Sequence, residues 1–152
     1  MVHSTGGAAA LAGIILLGAR SGRFDSKGQP KALVPFAAAS IPLVTIGVFI
    51  LWLGWFGFNG GSQLALGTFD DAVAISTIFI NTNLAACGGV LAAATITRLM
   101  YGKTDVIQML NGAIGGLVAI TAEPLAPSPF AAILIGAIGA VSYTHLTLPT
   151  KA

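Results

Sequence analysis

The feature that most constrains this chain is the repeated alternation of long apolar segments with short polar connections. At a rise of about 1.5 Å per residue, a helix needs about 20 apolar residues to cross the hydrocarbon core of a bilayer. The pattern therefore predicts an all-α fold, a polytopic transmembrane helix bundle with about five helices. The predicted segments are Val2–Ala19, Phe36–Gly61, Ala72–Thr97, Val106–Ala122, and a fifth that starts at Phe130 and is still apolar at Val141.

The composition places the chain in a bilayer rather than in water. Hydrophobic residues make up 55% and charged residues 8% of the 152-residue sequence, whereas charged residues are about 25% of typical soluble domains. The net charge of +2 does not indicate a nucleic-acid partner, because six of the seven lysine and arginine residues lie between apolar runs. We therefore predict a multi-pass membrane protein that does not bind nucleic acid.

The basic residues predict an orientation in the membrane, because lysine and arginine concentrate in cytoplasmic connections. The connections after the second and the fourth segments contain no lysine or arginine. The first and third connections should therefore be cytoplasmic, and the first segment should run from outside to inside. The basic residues in those two connections are Arg20, Arg23, Lys27, Lys31, Arg98 and Lys103.

Small residues predict close contacts between the helices. The chain contains 20 glycines, and the pairs Gly57 with Gly61 and Gly112 with Gly116 have the four-residue spacing that lets helix backbones approach closely in lipid. The single cysteine, Cys87, cannot form an internal disulfide and stands among small neighbours, so it is interpreted as a packing residue.

Polar residues inside the apolar segments are candidates for function, because an unpartnered polar group is costly in hydrocarbon. Phe58 and Ser62 are four residues apart, so one helical face would present an aromatic ring and a hydroxyl that together can hold a small cation. In the structural alternative, the ring belongs to an interfacial aromatic belt and the serine bonds its own helix carbonyl. The full set of polar candidates is His3, Asn59, Ser62, Asn81, Thr82, Asn83 and Asn111.

His3 allows two interpretations from its residue type alone. An imidazole inside a membrane can relay a proton or accept a hydrogen bond, because burial easily lowers its pKa of about 6.5. The same side chain can instead serve only to bridge two helices.

Four motifs in succession resemble one known family. Residues 2–7 read VHSTGG, residues 51–62 read LWLGWFGFNGGS, residues 81–86 read NTNLAA, and residues 111–121 read NGAIGGLVAIT. They resemble, in this order, the fifth, sixth, seventh and eighth transmembrane helices of ammonium transporters of the Amt/Mep/Rh family. The order and spacing agree from Val2 to about Ala140, so the chain is predicted to be a fragment that covers the fifth to the early ninth helix.

The resemblance implies roles for three residues and an assembly. Phe58 corresponds to one of two stacked phenylalanines at the outer mouth of a pore, and Ser62 to a hydroxyl of the external ammonium site. His3 corresponds to the first of two paired pore histidines. The full-length protein would be a trimer of eleven-helix protomers in the inner or plasma membrane, each with its own narrow hydrophobic pore, and a cytoplasmic regulatory protein is a possible further partner.

The implied activity is transport. Ammonium would be held at the outer site and would lose its proton, because a long apolar pore penalises a charged species. Ammonia would then cross between the histidines. On this interpretation the protein is not an enzyme and needs no cofactor or metal ion, and its partners are ammonium or ammonia and the lipid bilayer.

The end of the chain departs from the family pattern. Residues 141–146, VSYTHL, resemble the translation of a transposase adapter used in sequencing libraries. We therefore predict a partial ammonium transporter domain at residues 1–140 and a non-native tail at residues 141–152. His145 lies in that tail, outside any glycine-rich helix, and is not predicted to be the second pore histidine.

Other function classes fit less well. An intramembrane serine protease would place its serine in a Gly-x-Ser-Gly turn with the histidine after it, whereas Gln63 follows Ser62 and His3 precedes it. An ammonium sensor, or a structural membrane subunit of the same fold that does not transport, remains the alternative to a transporter.

Overall fold

The computed structural model describes residues 2–18, 24 and 40–147, and that part of the chain contains five α-helices. Contacts divide the chain into two units, residues 1–37 and residues 38–152. The prediction of an all-α fold with about five helices is confirmed. The helices are α1 (Val2–Leu17) in the first unit, and α2 (Ile41–Gly61), α3 (Phe69–Tyr101), α4 (Val106–Ile120) and α5 (Pro129–Thr147) in the second.

Helix α2 begins five residues later than the predicted start at Phe36. Ser40 is its N-cap, with an extended backbone (φ −153°), and its side-chain oxygen accepts a hydrogen bond from the Leu43 N–H at 3.4 Å. Pro42 stands in the first turn, where a missing N–H costs no helical hydrogen bond. The start is therefore decided by this cap, because apolar content continues on both sides of it.

Helix α3 is longer at both ends than the predicted Ala72–Thr97. Thr68 and Asp71 form a capping box: the Thr68 hydroxyl oxygen accepts from the Asp71 N–H at 3.1 Å, and the Asp71 carboxylate accepts from the Thr68 N–H at 3.0 Å. At the other end Gly102 has a positive φ of 73° and donates its N–H to the Arg98 carbonyl at 3.0 Å. The acidic pair Asp70 and Asp71 thus belongs to the helix rather than to the connection before it.

Two of the described helices, α2 and α3, are long and apolar enough to cross a membrane by length and composition. The other three carry shorter apolar stretches, at Ser4–Leu17, Val106–Ile120 and Pro129–Tyr143.

Helices α3, α4 and α5 pack through small residues. A Cβ atom added to Gly116 of α4 or Gly136 of α5 would strike the Ala85 carbonyl of α3, and Ala85 itself is fully buried. A Cβ on Gly112 would lie 2.6 Å from the Gly89 carbonyl oxygen. These contacts require glycine and confirm the close approach predicted for Gly112 and Gly116.

The same prediction is wrong for Gly57 and Gly61 within residues 40–147. A Cβ added to either glycine would meet no atom within 4 Å. Gly60 makes the contact instead, because a Cβ there would strike the Phe79 ring of α3. The three glycines lie within about 100° of one another around the helix, and among the described residues only Gly60 comes close to α3. Cys87 of α3 is half-buried with a free thiol.

Candidate functional site at the end of the second helix

The last two turns of α2 bring together the two predicted site residues of this unit. Phe58 is 45% exposed, and its ring meets the Trp55 ring edge-on, with 6.4 Å between centroids. Ser62 follows one turn later as the exposed C-cap of the helix. An accessible aromatic ring and an accessible hydroxyl therefore lie on one flank of α2, as their spacing predicts.

The Ser62 hydroxyl has a defined orientation. Its Oγ donates a hydrogen bond to the Phe58 carbonyl oxygen at 2.7 Å. This is the bond that the structural alternative anticipates, and it has a chemical consequence. A hydroxyl has one proton and two lone pairs, so the proton is used within the helix and the lone pairs are left to accept from a donor outside it.

Two hydrogen bonds tie this end of α2 to the rest of the unit. Asn59 donates its Nδ2–H to the Thr82 hydroxyl oxygen of α3 at 3.0 Å, and both residues are at most 2% exposed. Trp55 donates its indole N–H to the Thr121 hydroxyl oxygen at the end of α4, at 2.7 Å. Asn59 and Thr82 were polar candidates in the sequence, but no sequence signal pairs Trp55 with a threonine 66 positions away.

The other polar candidates of this unit lie away from the flank of α2 that carries Phe58 and Ser62. Asn81 is fully buried and donates both amide hydrogens to the turn between α4 and α5, to the Pro124 carbonyl at 3.0 Å and the Pro127 carbonyl at 2.8 Å. Its neighbour Asn83 is exposed, and Asn111 is half-buried. Asn81 and Thr82 therefore hold structure together and do not line the flank that carries Phe58 and Ser62.

An apolar groove of about 450 Å³ runs beside the site. Neither Phe58 nor Ser62 lines it, so the groove and the candidate site occupy different faces of α2. Its lining includes Phe56, Gly57, Gly60, Gly61, Leu64 and Phe79.

The side chains of the two histidines lie outside the described part of the structure. His3 lies in the first turn of α1, in the other unit, and its side chain is outside the described part of the structure. His145 lies in the last turn of α5, and its side chain is likewise outside that part. Among the described residues, no group of three or more His, Cys, Asp or Glu side chains could hold a metal ion.

Known proteins are similar to this chain in sequence. The Ammonium Transporter Family model matches residues 1–151. Ammonium transporter Amt2 of Archaeoglobus fulgidus is 44% identical over 145 residues, which cover 95% of this chain and 30% of that protein. Ammonium transporter 1 member 2 of Arabidopsis thaliana is 38% identical over 144 residues, covering 90% of this chain and 27% of that protein. The chain thus spans about 30% of the length of these curated relatives.

Solved structures share the fold. A structure described as Sensor Amt Protein has a TM-score of 0.73 and 32% sequence identity, covering 88% of this chain and 31% of that one. Mep2 of Candida albicans has a TM-score of 0.71 and 30% identity, covering 88% of this chain and 28% of that one.

The matching family and the curated relatives are named as ammonium transporters rather than enzymes, which confirms the predicted non-enzymatic class, and this family is embedded in a membrane, as the composition predicts. Family model, relatives and fold agree over nearly the whole sequence, and the chain belongs to the Ammonium Transporter Family.

Proposed function

We propose that the full-length protein containing this chain transports ammonium or ammonia across a membrane, and that Phe58 and Ser62 form part of its outer substrate site. The observation that carries the proposal is the pairing of an exposed ring with an exposed, oriented hydroxyl at the end of α2. Relatives named as ammonium transporters match this chain over 90% or more of its length.

The hydroxyl supplies selectivity through hydrogen bonding. Because the Ser62 proton is donated to the Phe58 carbonyl, the Ser62 oxygen presents lone pairs to its surroundings. Ammonium carries four N–H donors and can use such an acceptor, whereas an alkali cation of similar size has no proton to donate. Replacing Ser62 with alanine removes this acceptor.

The ring supplies a second attraction. The face of a phenylalanine ring attracts a cation within about 6 Å of its centroid. Trp55 contacts the Phe58 ring edge-on and limits the orientations of that ring. A cation beside Ser62 can therefore lie against an aromatic face whose position is already set.

Loss of a proton follows from the apolar path beyond the site. A charged species in a low-dielectric pore carries a desolvation cost that a neutral molecule avoids. Ammonium therefore releases a proton at the outer site and ammonia crosses, while the proton is returned or relayed separately, with His3 as the first of two histidines in the pore lumen. The role of His3 rests on its place in the VHSTGG motif.

The cellular setting follows from the family resemblance. The full-length protein is proposed to be a homotrimer in the inner or plasma membrane, with a regulatory protein on its cytoplasmic face. An ammonium sensor is the second candidate function, because one of the similar structures is described as a sensor. A structural subunit without transport is the third.

The test begins with the full-length gene recovered from its source and expressed in a host that lacks ammonium transporters. We expect ammonium uptake by the parent protein, and weaker uptake by the variants Ser62→Ala and His3→Ala. Ser76→Ala is the matched control, because Ser76 also donates its hydroxyl to its own helix, to the Ala72 carbonyl at 2.8 Å, but lies on α3. A correctly inserted parent protein without uptake would instead favour the sensor or the structural subunit.

We also propose that the transporter domain ends at residue 140, because residues 141–146 resemble a translated sequencing adapter. Helix α5 continues across it to Thr147. Sequencing of the locus directly from source DNA should find other codons after position 140, and recovery of the same codons there would refute the non-native tail.

A further inference from the structure

Helix α2 is the least enclosed helix of its unit. Only three of its 21 residues are buried within residues 40–147, namely Val48, Asn59 and Gly60. Two of these three belong to the last turn, next to the candidate site. In lipid, apolar burial provides little force between helices, so the setting of such a helix depends on packing and on specific polar contacts.

The Asn59–Thr82 hydrogen bond is one such contact. Its N···O distance is 3.0 Å, and both side chains are almost completely buried. A buried amide without its partner would be left unsatisfied, and this cost penalises any rotation of α2 that separates the pair.

The Trp55–Thr121 hydrogen bond is the second contact. Thr121 accepts from the Trp55 indole at 2.7 Å and donates its own hydroxyl proton to the Leu117 carbonyl of α4 at 2.6 Å. The hydrogen bond to the Leu117 carbonyl therefore fixes the position of the threonine oxygen that accepts from Trp55. Linked hydrogen bonds of this kind strengthen one another.

The two anchoring residues of α2, Trp55 and Asn59, lie on the same side of the helix as the two site residues, Phe58 and Ser62. At about 100° per residue, Asn59 lies about 40° to one side of Trp55, whereas Ser62 and Phe58 lie about 20° and 60° to the other side. The anchoring pair and the site pair are therefore adjacent. A rotation of about 20° would move a side chain that lies about 5 Å from the helix axis by about 2 Å.

We propose that the Asn59–Thr82 and Trp55–Thr121 hydrogen bonds set the rotation of α2 and thereby position Phe58 and Ser62 for ammonium. Asn59, Thr82 and Thr121 are positioning residues on this proposal, since they act on the substrate through the two site residues. The inference rests on the proposed function, because it concerns the same site.

The experiment measures ammonium uptake by the full-length protein in proteoliposomes over a range of ammonium concentrations. Thr82→Val keeps the shape of the side chain but removes the acceptor for Asn59. We expect it to raise the half-saturating ammonium concentration about 3- to 10-fold, the range that one interhelical hydrogen bond allows. Thr82→Ser keeps the hydroxyl and should restore a value close to that of the unchanged protein.

A second pair of variants, together with the melting temperature, distinguishes positioning of the site from a general loss of stability. Thr121→Val removes the acceptor for Trp55 and should change the half-saturating concentration in the same direction, whereas Thr121→Ser should not. If Thr82→Val and Thr121→Val lower the melting temperature but leave the half-saturating concentration unchanged, the two bonds only stabilise the fold and the proposal is overturned.

Combination with Ser62→Ala separates this inference from the function on which it rests. If Thr82 acts on the substrate through Phe58 and Ser62, Thr82→Val should add little to the effect of Ser62→Ala, because the effects of substitutions at coupled residues are not additive. Full additivity would refute positioning. An unchanged half-saturating concentration in Ser62→Ala alone would refute the proposed site, whereas a changed value there with an unchanged one in Thr82→Val would refute only the positioning inference.

Discussion

At the scale of single residues, glycine decides where two helices of this chain can touch. Gly116 and Gly136 both face the Ala85 carbonyl, so a single backbone group of α3 receives α4 and α5. Gly54 of α2 has the same residue type in a helix interior, yet a Cβ there would meet no atom within 4 Å in the described part of the chain. The same residue type is therefore essential at one position and replaceable at another.

Gly116→Ala should weaken the contact between α3 and α4. The added methyl strikes backbone atoms, which cannot rotate away, and we expect the free energy of unfolding to fall by about 1–3 kcal/mol. Thermal unfolding of the chain in detergent micelles measures the change. Gly54→Ala is the control, because it makes the same gain in helix propensity without a clash, and an equal loss in both variants would contradict the explanation.

At the scale of elements, α3 organises the second unit. Its capping box and its glycine C-cap define 33 residues of helix, and its middle receives α4 and α5 through small residues. Asn81 and Thr82 then connect it to two other elements: Thr82 to α2, and Asn81 to the turn between α4 and α5. Consecutive residues on one helix thus reach different partners because their side chains diverge by about 100°.

Asn81→Ala should release the turn between α4 and α5. The Pro124 and Pro127 carbonyls lose their donor, and an unsatisfied buried group costs about 1–3 kcal/mol. We expect faster amide hydrogen exchange between Thr121 and Ser128, as measured by mass spectrometry. Asn83→Ala removes an exposed amide two residues away and should leave exchange unchanged. Protection that is equal in both variants would show that Asn81 does not hold the turn.

At the scale of the whole molecule, the chain is one part of a larger architecture. It spans about 30% of the length of the curated relatives. Large apolar side chains such as Leu53, Phe69 and Leu91 are at least 65% exposed, which fits a surface covered by lipid or by further helices of the same protein.

The 152-residue chain alone should not transport ammonium. A pathway needs walls on all sides, and the site flank of α2 is exposed in the described unit. Uptake by proteoliposomes that contain only this chain should equal that of empty vesicles, with the full-length protein as the positive control. Ammonium-dependent uptake above that background would refute the expectation.

Sequence reasoning recovered the helices better than their ends. The alternation of long apolar runs with polar connections located all five segments, because a helix in a bilayer must be apolar over most of its length. It placed the start of α2 at Phe36 and that of α3 at Ala72, whereas the caps are Ser40 and Thr68. Polar caps next to apolar sequence carry a weak signal, since the backbone geometry that makes a serine or threonine a cap is not visible in its type.

The sequence by itself determined the membrane setting and the helical class, because both depend on composition and on the length of apolar segments. Its four motifs carried the family resemblance, and a four-residue spacing predicted that Phe58 and Ser62 share one flank of a helix. Only the tertiary structure decided which glycines pack and which polar residues pair across helices. Gly112 packs against Gly89, whereas a Cβ added to Gly57 would meet no atom of the described residues within 4 Å, and Trp55 bonds to Thr121 at a separation of 66 residues. Such contacts depend on how each helix is rotated against its neighbours, and spacing within one helix cannot specify that rotation.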